Sequence, residues 1–497
     1  MAWLIVIATY LIYCIGVGVY RLYLSPLSKF PGPRLAAVSW GYEFYYDFVK
    51  RGQFYKHTER LHDIYGPVVR INPVEIHVRD HEWYSELYTS VNHPRDKPSW
   101  FLGPTGGQSV FSTEPHALHR RRRAALNPFF SQKAVAFLEP IIQSNVEKLC
   151  QRIERNASTG RLLEMRLLYF AFAMDTFSHY AFGAAFGSLD REDLGEEHEA
   201  TLRAATESNI VARHLPFLVH IINMLPERVA ASFSTPIAGL LKMRREILAK
   251  MEAAFAKGEG EKSTTHRTIF EDIRDSNLPI QEKTTQRLLD EAVVMVGAAG
   301  EPPAFTLATL TFHLLNTPTV LERLVSELDA LMPDPNASIS LQALEQLPYL
   351  RATVLEAHRI TSFFTARMIR TAPNEVLRYK DWEILPGTQI SMTQHWTHFN
   401  PNIFPDPYSF RPDRFLAEDS AEVEKYLLPF SKGSRSCIGL NLARAELYLA
   451  VAYIFRRFDL RLFDTTFEDV EITWDRFTGG TRPDSKGVRV QAVRLRS

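Results

Sequence analysis

Cysteine is scarce in this chain: three in 497 residues, at positions 14, 150 and 437. No disulfide framework can be assembled from them, which excludes the stapled secreted scaffolds and fits a reducing, cytosol-facing setting. Net charge is lacking too, since Lys+Arg and Asp+Glu each number 57; a neutral chain is a poor match for nucleic acid as its main partner. No internal repeat is visible, and no strong linker interrupts the chain after Gly32. The first twenty residues contain no charged side chain. At about 1.5 Å per residue such a run reaches roughly 30 Å, the thickness of a hydrocarbon core. Arg21, Lys29 and Arg34 follow, which keeps the downstream chain on the cytosolic side. A cleaved signal peptide is the rival reading, but the run has neither a charged start nor a small-residue cleavage site. Residues 1–21 therefore read as a membrane anchor, and 22–34, with Pro26, Pro31 and Pro33, as a stiff hinge. Residues 35–497 read as one large domain.

Helical periodicity dominates that domain. It predicts an amphipathic helix over 40–65 and mostly helix over 116–250, broken near Gly187, Pro216 and Pro226. A strongly apolar helix is expected over 288–315, and further helices over 341–360 and 440–455. Residues 68–78 read as a short β-hairpin turning near Pro73, and 368–389 as short strands. Residues 257–268 read as a surface loop.

Near the C-terminus stands Phe430-Ser-Lys-Gly433-Ser-Arg435-Ser-Cys437-Ile-Gly439, which presents one cysteine just as a helix begins. The helix N-terminus is expected to favour a thiolate there. Gly433 permits a tight turn, and Gly439 removes a side chain where backbone must lie close to a flat ligand. Arg435 is a fixed cation suited to a ligand carboxylate. Thiolate, uncovered surface and carboxylate anchor together describe a cradle for haem, with Cys437 as the axial iron ligand. The rival reading is a buried structural cysteine.

Three further constellations bear on that site. Glu356-Ala-His-Arg359 places opposite charges on one helical face, and Arg414, in Phe410-Arg-Pro-Asp-Arg-Phe415, supplies a second guanidinium. A Glu–Arg–Arg cluster built from them would fix the cysteine loop, provided it is fully paired; an ordinary surface pair is the rival. His119-Arg-Arg-Arg-Arg123 lies on a predicted helix, with His119 and Arg123 on one face as candidate partners of the haem propionates. A solvated basic face, a nucleic-acid surface or a partner surface are the alternatives. Arg370 is a third propionate candidate, while Arg121 and Arg122 are expected to face outward, toward an acidic partner.

In this order the motifs resemble the cytochrome P-450 superfamily of haem-thiolate monooxygenases, over nearly the whole chain. Pro26-Leu-Ser-Lys-Phe-Pro-Gly-Pro33, Leu118-His-Arg with Ala-Leu-Asn-Pro-Phe-Phe-Ser131, and Ile403-Phe-Pro-Asp-Pro407 are similar to the fungal microsomal branch of secondary metabolism, such as the trichodiene oxygenase-like group. The resemblance implies a mainly α domain with a minor β portion behind a transmembrane helix. It implies haem b on Cys437, O2, an apolar small-molecule substrate, and electrons from a membrane-bound NADPH–cytochrome P-450 reductase. It also implies the endoplasmic reticulum membrane, crossed once, with the catalytic domain in the cytosol.

One departure stands in the central helix. Such families usually carry Ala/Gly-Gly-x-Asp/Glu-Thr, whose acid and alcohol help to deliver protons. Here the match is Gly297-Ala-Ala-Gly300-Glu301-Pro302-Pro303, so Glu301 keeps the catalytic acid while Pro302 has no hydroxyl. A kink is expected at the paired prolines; the rival reading of Glu301 is a helix-end carboxylate in water. Three functions follow. The first is a monooxygenase whose missing alcohol is replaced by a water or a substrate hydroxyl. The second is a haem-thiolate enzyme of rearrangement, dehydration or desaturation. The third is a haem-binding protein with impaired oxygen chemistry. Candidate pocket residues lie around 101–110, 208–215, 363–365 and 477–479, and their character suggests an apolar, drug-sized ligand.

Overall fold

Apolar residues at helical spacing build a mainly helical domain beside a small sheet. The structure, a computed structural model, describes residues 1–257 and 268–495; the expected surface loop over 257–268 falls almost wholly outside them. The apolar N-terminal helix Ala2–Val19 buries no residue, and helical turns continue through Tyr20–Leu24. The whole apolar helix is 23 residues, long enough to cross a membrane. Its base is bolted to the domain: Arg21 Nη1 donates to the Val38 carbonyl at 2.5 Å, and Arg70 Nη1 to the Arg21 carbonyl at 2.7 Å. The hinge is docked as well, with Leu27 and Phe30 buried in the core of the β portion.

That portion is a four-stranded sheet. Val68–Arg70 and Glu75–Val78 pair as the expected hairpin; Gln389–Ser391 adds in parallel, and Arg370–Thr371 closes the far edge antiparallel. The expected helix over 40–65 is split into short turns up to Val49 and a helix Phe54–Tyr65. Arg51 and Gly52 both have positive φ at the break, and a Cβ on Gly52 would come within 2.1 Å of the Asp475 carbonyl oxygen. Docking of the C-terminal hairpin, far away in sequence, sets this break. The expected helix over 341–360 is likewise two, Leu341–Glu345 and Pro348–Thr361. Pro348 has no N–H to continue the first helix and is well suited to begin the second.

The main core is organised by the central helix Thr285–Asn316, packed along Met165–Phe182. Gly300 lets the two approach, since a Cβ there would meet Phe170 at 2.7 Å and Met174 at 3.0 Å. Thr311 and Tyr169 share a buried hydrogen bond of 2.9 Å. Helical structure runs unbroken through Pro302 and Pro303, so the prolines do not end the helix. They remove the donors for the Ala298 and Ala299 carbonyls, while close packing on both sides holds the helix together.

Candidate active site

Cys437 immediately precedes the helix Leu440–Arg457, whose N-cap is Gly439. Its loop is closed by local bonds: Cys437 N–H donates to the Phe430 carbonyl at 2.9 Å and Ser436 N–H to the Gly433 carbonyl at 3.1 Å. Gly433 has φ +77°, and a Cβ on it would lie 2.2 Å from the Thr89 carbonyl oxygen. With the Ser434 N–H bonded to that same oxygen, Gly433 serves to seat the loop on residues 88–89. The Phe430 ring stands edge-on to His358 at 4.9 Å.

Cys437 is exposed to solvent. Burial pushes the thiol above its usual range, although the Gly439 amide and Arg123 pull the other way. A metal ion bound at this sulfur would favour its deprotonated form. A Cβ on Gly439 would meet no protein atom within 4 Å except the Cys437 sulfur at 3.9 Å, so the space beside the sulfur is free of side chains.

Above the loop lies an unusual group of cations. Lys97, Arg370 and Arg435 are buried and Arg123 partly so; among the described residues none of the four forms an ion pair. Arg435 is pushed down to about 9 by burial and by Arg370, with Asp96 opposing. Arg370 and Arg123 are also lowered by burial. His119, buried beside them, is held down to about 2 and is neutral. Arg435 donates to the carbonyls of Arg95, Thr113 and Glu114 at 2.7–3.0 Å, and Arg123 Nη1 to the Ser436 carbonyl at 2.5 Å. Arg370 Nη2 is buried with no partner. Buried charge of one sign is costly unless paired. Such a cluster suits a ligand bearing more than one carboxylate, and with the bare space beside the sulfur the residues fit haem.

Arg122, expected to face outward, is buried instead: Nε meets Glu282 Oε2 at 2.6 Å, and Nη1 donates to Thr113 Oγ1 at 2.8 Å. Glu282 supplies the counter-charge that draws it inward, leaving Arg120 and Arg121 as the exposed pair.

The Glu–Arg–Arg cluster is present and fully buried at its centre. Arg359 holds Glu356 through two bonds of 2.7 and 2.8 Å, and Arg414 Nε lies 3.1 Å from the same carboxylate. Arg359 also donates to the carbonyls of His398 and Pro407 at 2.9 and 2.6 Å. His398, which no sequence motif marked, carries the link onward: its Nε2 accepts the Leu428 N–H at 2.7 Å, two residues before Phe430. Since Nε2 accepts, Nδ1 bears the proton and donates to Ser362 Oγ at 3.0 Å. Burial and Arg359 keep the ring far below its usual pKa, hence neutral. His398→Ala strands the Leu428 amide, and a loss of about 1–3 kcal/mol is expected, read as earlier thermal release of the cysteine loop's bound chromophore.

Glu301 is neither at a helix end nor in water. It lies mid-helix and buried, its Oε1 2.5 Å from Arg476 Nη2. Arg476 borders a polar cavity of about 350 Å³ that Arg166, Arg203, Glu207, Thr309 and Arg482 also line. Thr306, one turn after Pro302, donates its hydroxyl to the Pro302 carbonyl at 2.9 Å. The candidate pocket residues converge in part: Phe477 meets Phe111 and Phe364 edge-on at 5.7 and 5.8 Å, and Phe305 meets Phe363 at 5.1 Å. The side chains of 102–105 lie outside the described residues. Of the 208–215 stretch, Arg213 stands 4.2 Å over the Phe101 ring and pairs with Asp47 at 3.2 Å.

A family model described as Cytochrome P-450 matches residues 31–486. Tryptophan 6-hydroxylase fscE of Fusarium equiseti is 39% identical over 494 residues, covering 99% of this chain and 97% of that protein. The cytochrome P-450 monooxygenase sdnE of Sordaria araneosa is 38% identical, over 98% of this chain and 97% of its own. The cytochrome P-450 monooxygenase TRI4 of Trichoderma arundinaceum is 36% identical, over 93% and 89% respectively.

Proposed function

This chain belongs to the cytochrome P-450 family, and from that premise we propose that it oxidises an apolar secondary metabolite with electrons from an NADPH–cytochrome P-450 reductase. The family uses haem held by a cysteine thiolate, O2, a small-molecule substrate and a redox partner. The observation that carries the site assignment is the exposed Cys437 in a loop crowded by Arg123, Arg370 and Arg435, none of which forms an ion pair among the described residues. Cys437 would hold the iron, and Arg123, Arg370, Arg435 and His119 would surround the propionates. Haem held by Cys437 would supply reductive activation of O2, which a cysteine thiolate ligand favours.

The chain's own residues do the rest. Phe430 and Gly433 shape the loop, Gly439 leaves room for the flat ring, and the Glu356–Arg359–Arg414 cluster holds the segment behind it through His398. The Phe111, Phe364 and Phe477 rings offer the substrate an apolar wall that excludes water. Substrates of terpenoid or aromatic secondary-metabolite character suit such a wall, and the relative fscE is named a tryptophan 6-hydroxylase. The exposed Arg120 and Arg121 offer a basic face to an acidic reductase surface. The anchor helix would place the domain on the cytosolic face of the endoplasmic reticulum.

Glu301 is the proposed proton-handling group. Its partner Arg476 borders the polar cavity, which links the buried carboxylate to a route for water, and no alcohol stands at position 302. Glu301→Gln keeps the size and a hydrogen bond but cannot carry a proton. The expected result is a fall in turnover of about 100-fold with the haem spectrum unchanged; unaltered turnover removes Glu301 from the mechanism. The function itself is tested by reconstitution with reductase and NADPH, scoring oxygenated products by mass spectrometry with ¹⁸O2. Isotope in the product supports the monooxygenase reading, and isomerised or dehydrated product without isotope supports the alternative chemistry.

A further inference from the structure

The polar cavity that Arg476 borders is lined by none of the side chains assigned to the haem. At about 350 Å³ it holds far more than the roughly 30 Å³ of one water and falls within the usual size of small-molecule sites. Five guanidiniums line it, those of Arg51, Arg166, Arg203, Arg476 and Arg482, against two carboxylates, Glu207 and Asp469. Remote parts of the chain bring the arginines together: the turn before Phe54–Tyr65, the start of Met165–Phe182, the helix Glu196–His214, and the C-terminal hairpin of Trp474–Asp475 with Gly479–Gly480.

Their charges are unequally met. Arg482 is engaged by Glu468 at 2.8 Å and Asp469 at 3.0 Å. Arg166 and Arg203 divide the single carboxylate of Glu199, at 3.1 and 3.8 Å. Arg476 holds Glu301 through one nitrogen, and Glu207 stands off at 4.0 Å. Arg51 forms no ion pair among the described residues; its guanidinium lies 4.9 Å over the Trp474 ring. Donors are left over at the buried end. The Arg476 Nε and the Thr309 hydroxyl, on side chains 3% and 2% exposed, have no hydrogen-bond partner among the described residues, and neither has the Arg166 Nε. Burying such groups unmet is costly, so the cavity is built to receive an acceptor there. Phe305, Val470 and Trp474 give its wall an apolar stretch.

We propose that this cavity binds the carboxylate of a small organic acid. The Arg476 Nε–H and the Thr309 hydroxyl are its fixed donors, and Arg51, on the exposed side, supplies the charge that no carboxylate of the chain meets. A carboxylate suits the cavity better than a phosphate, because one guanidinium rather than several lacks a counter-ion. The apolar stretch takes the body of the acid. Phe305 also stands 5.1 Å from Phe363 of the aromatic pocket. The carboxylate therefore belongs either to a substrate that reaches across Phe305 or to a separate acid bound beside it.

The test is calorimetric titration of purified holoenzyme at low salt with naphthylacetate, its methyl ester and inorganic phosphate, with the haem Soret band followed in parallel. Naphthylacetate should bind about tenfold more tightly than the ester, and added salt should weaken the acid alone. Arg51→Gln and Thr309→Val should each weaken the acid about tenfold and leave the ester unchanged. Neither side chain closes an ion pair among the described residues, so both variants should fold. A Soret shift in step with the heat identifies the acid as the end of a substrate lying over the haem; heat without a shift identifies a separate ligand. Acid and ester bound alike, no heat from the acid at millimolar concentration, phosphate bound more tightly than the acid, or wild-type affinity in either variant overturns the proposal. None of these results touches the Cys437 assignment, which the carbon monoxide band reads separately.

Discussion

Cys437→Ala should abolish the red-shifted absorption band of the reduced, carbon monoxide-treated protein, and with it all oxygenase turnover. The band is the signature of a thiolate opposite the bound gas, and no other described sulfur can replace this one. Cys150 is buried in the main core, and Cys14 lies in the apolar N-terminal helix. Burial pushes the Cys437 thiol up, and iron would be held there by the deprotonated sulfur. Losing that bond also loosens the porphyrin, and the four cations above it are again left without anions. Haem content should therefore drop along with the band, measured as pyridine haemochrome per mole of protein. Pro302→Thr, which restores an alcohol on the central helix far from the sulfur in sequence, should leave the band intact. A Cys437→Ala protein that kept the band would end the site assignment.

Arg359→Ala should be the most damaging change away from the haem ligand. The guanidinium is wholly buried and holds both oxygens of Glu356 together with the carbonyls of His398 and Pro407. Removing it strands a buried carboxylate that keeps only Arg414 and the Arg411 amide. Breaking a buried pair in this way costs about 3–5 kcal/mol, a large share of the roughly 5–15 kcal/mol that holds a typical protein folded. The expected outcome is a fall of tenfold or more in haem-loaded soluble protein and a melting transition lowered by many degrees. Arg359→Lys should not rescue it, since one ammonium cannot span the carboxylate and reach two further carbonyls. A normal melting temperature for Arg359→Ala would show that the cluster is not what secures the loop.

Much of the site was legible because its parts are local. The cysteine loop, the Glu356–Arg359 spacing and the His119–Arg123 face are each set within a few residues; the structure joins Arg123 to the Ser436 carbonyl and, through His398, Arg359 to Leu428 ahead of the cysteine loop. The failures have a common physical source. Arg122 turns inward because Glu282, some 160 residues on, supplies its counter-charge. The helix over 40–65 breaks where Asp475 docks on Gly52. His398 looks ordinary in the sequence, and only its neighbours across the fold give it a role. The paired prolines of the central helix leave helical structure continuous through Pro302 and Pro303, packed along Met165–Phe182.

The sequence by itself determined the apolar N-terminal helix, the helical character of the domain, the thiol that would meet iron and the absence of an alcohol at position 302. Covalent identity and short-range periodicity carry those features. Only the tertiary structure decided the surroundings of the thiol, the partner of Glu301, the route by which Glu356 and Arg359 reach the cysteine loop, and the crowding of cations above that loop. Burial and electrostatics depend on distances between segments far apart in the chain, and those distances exist only once the chain has folded.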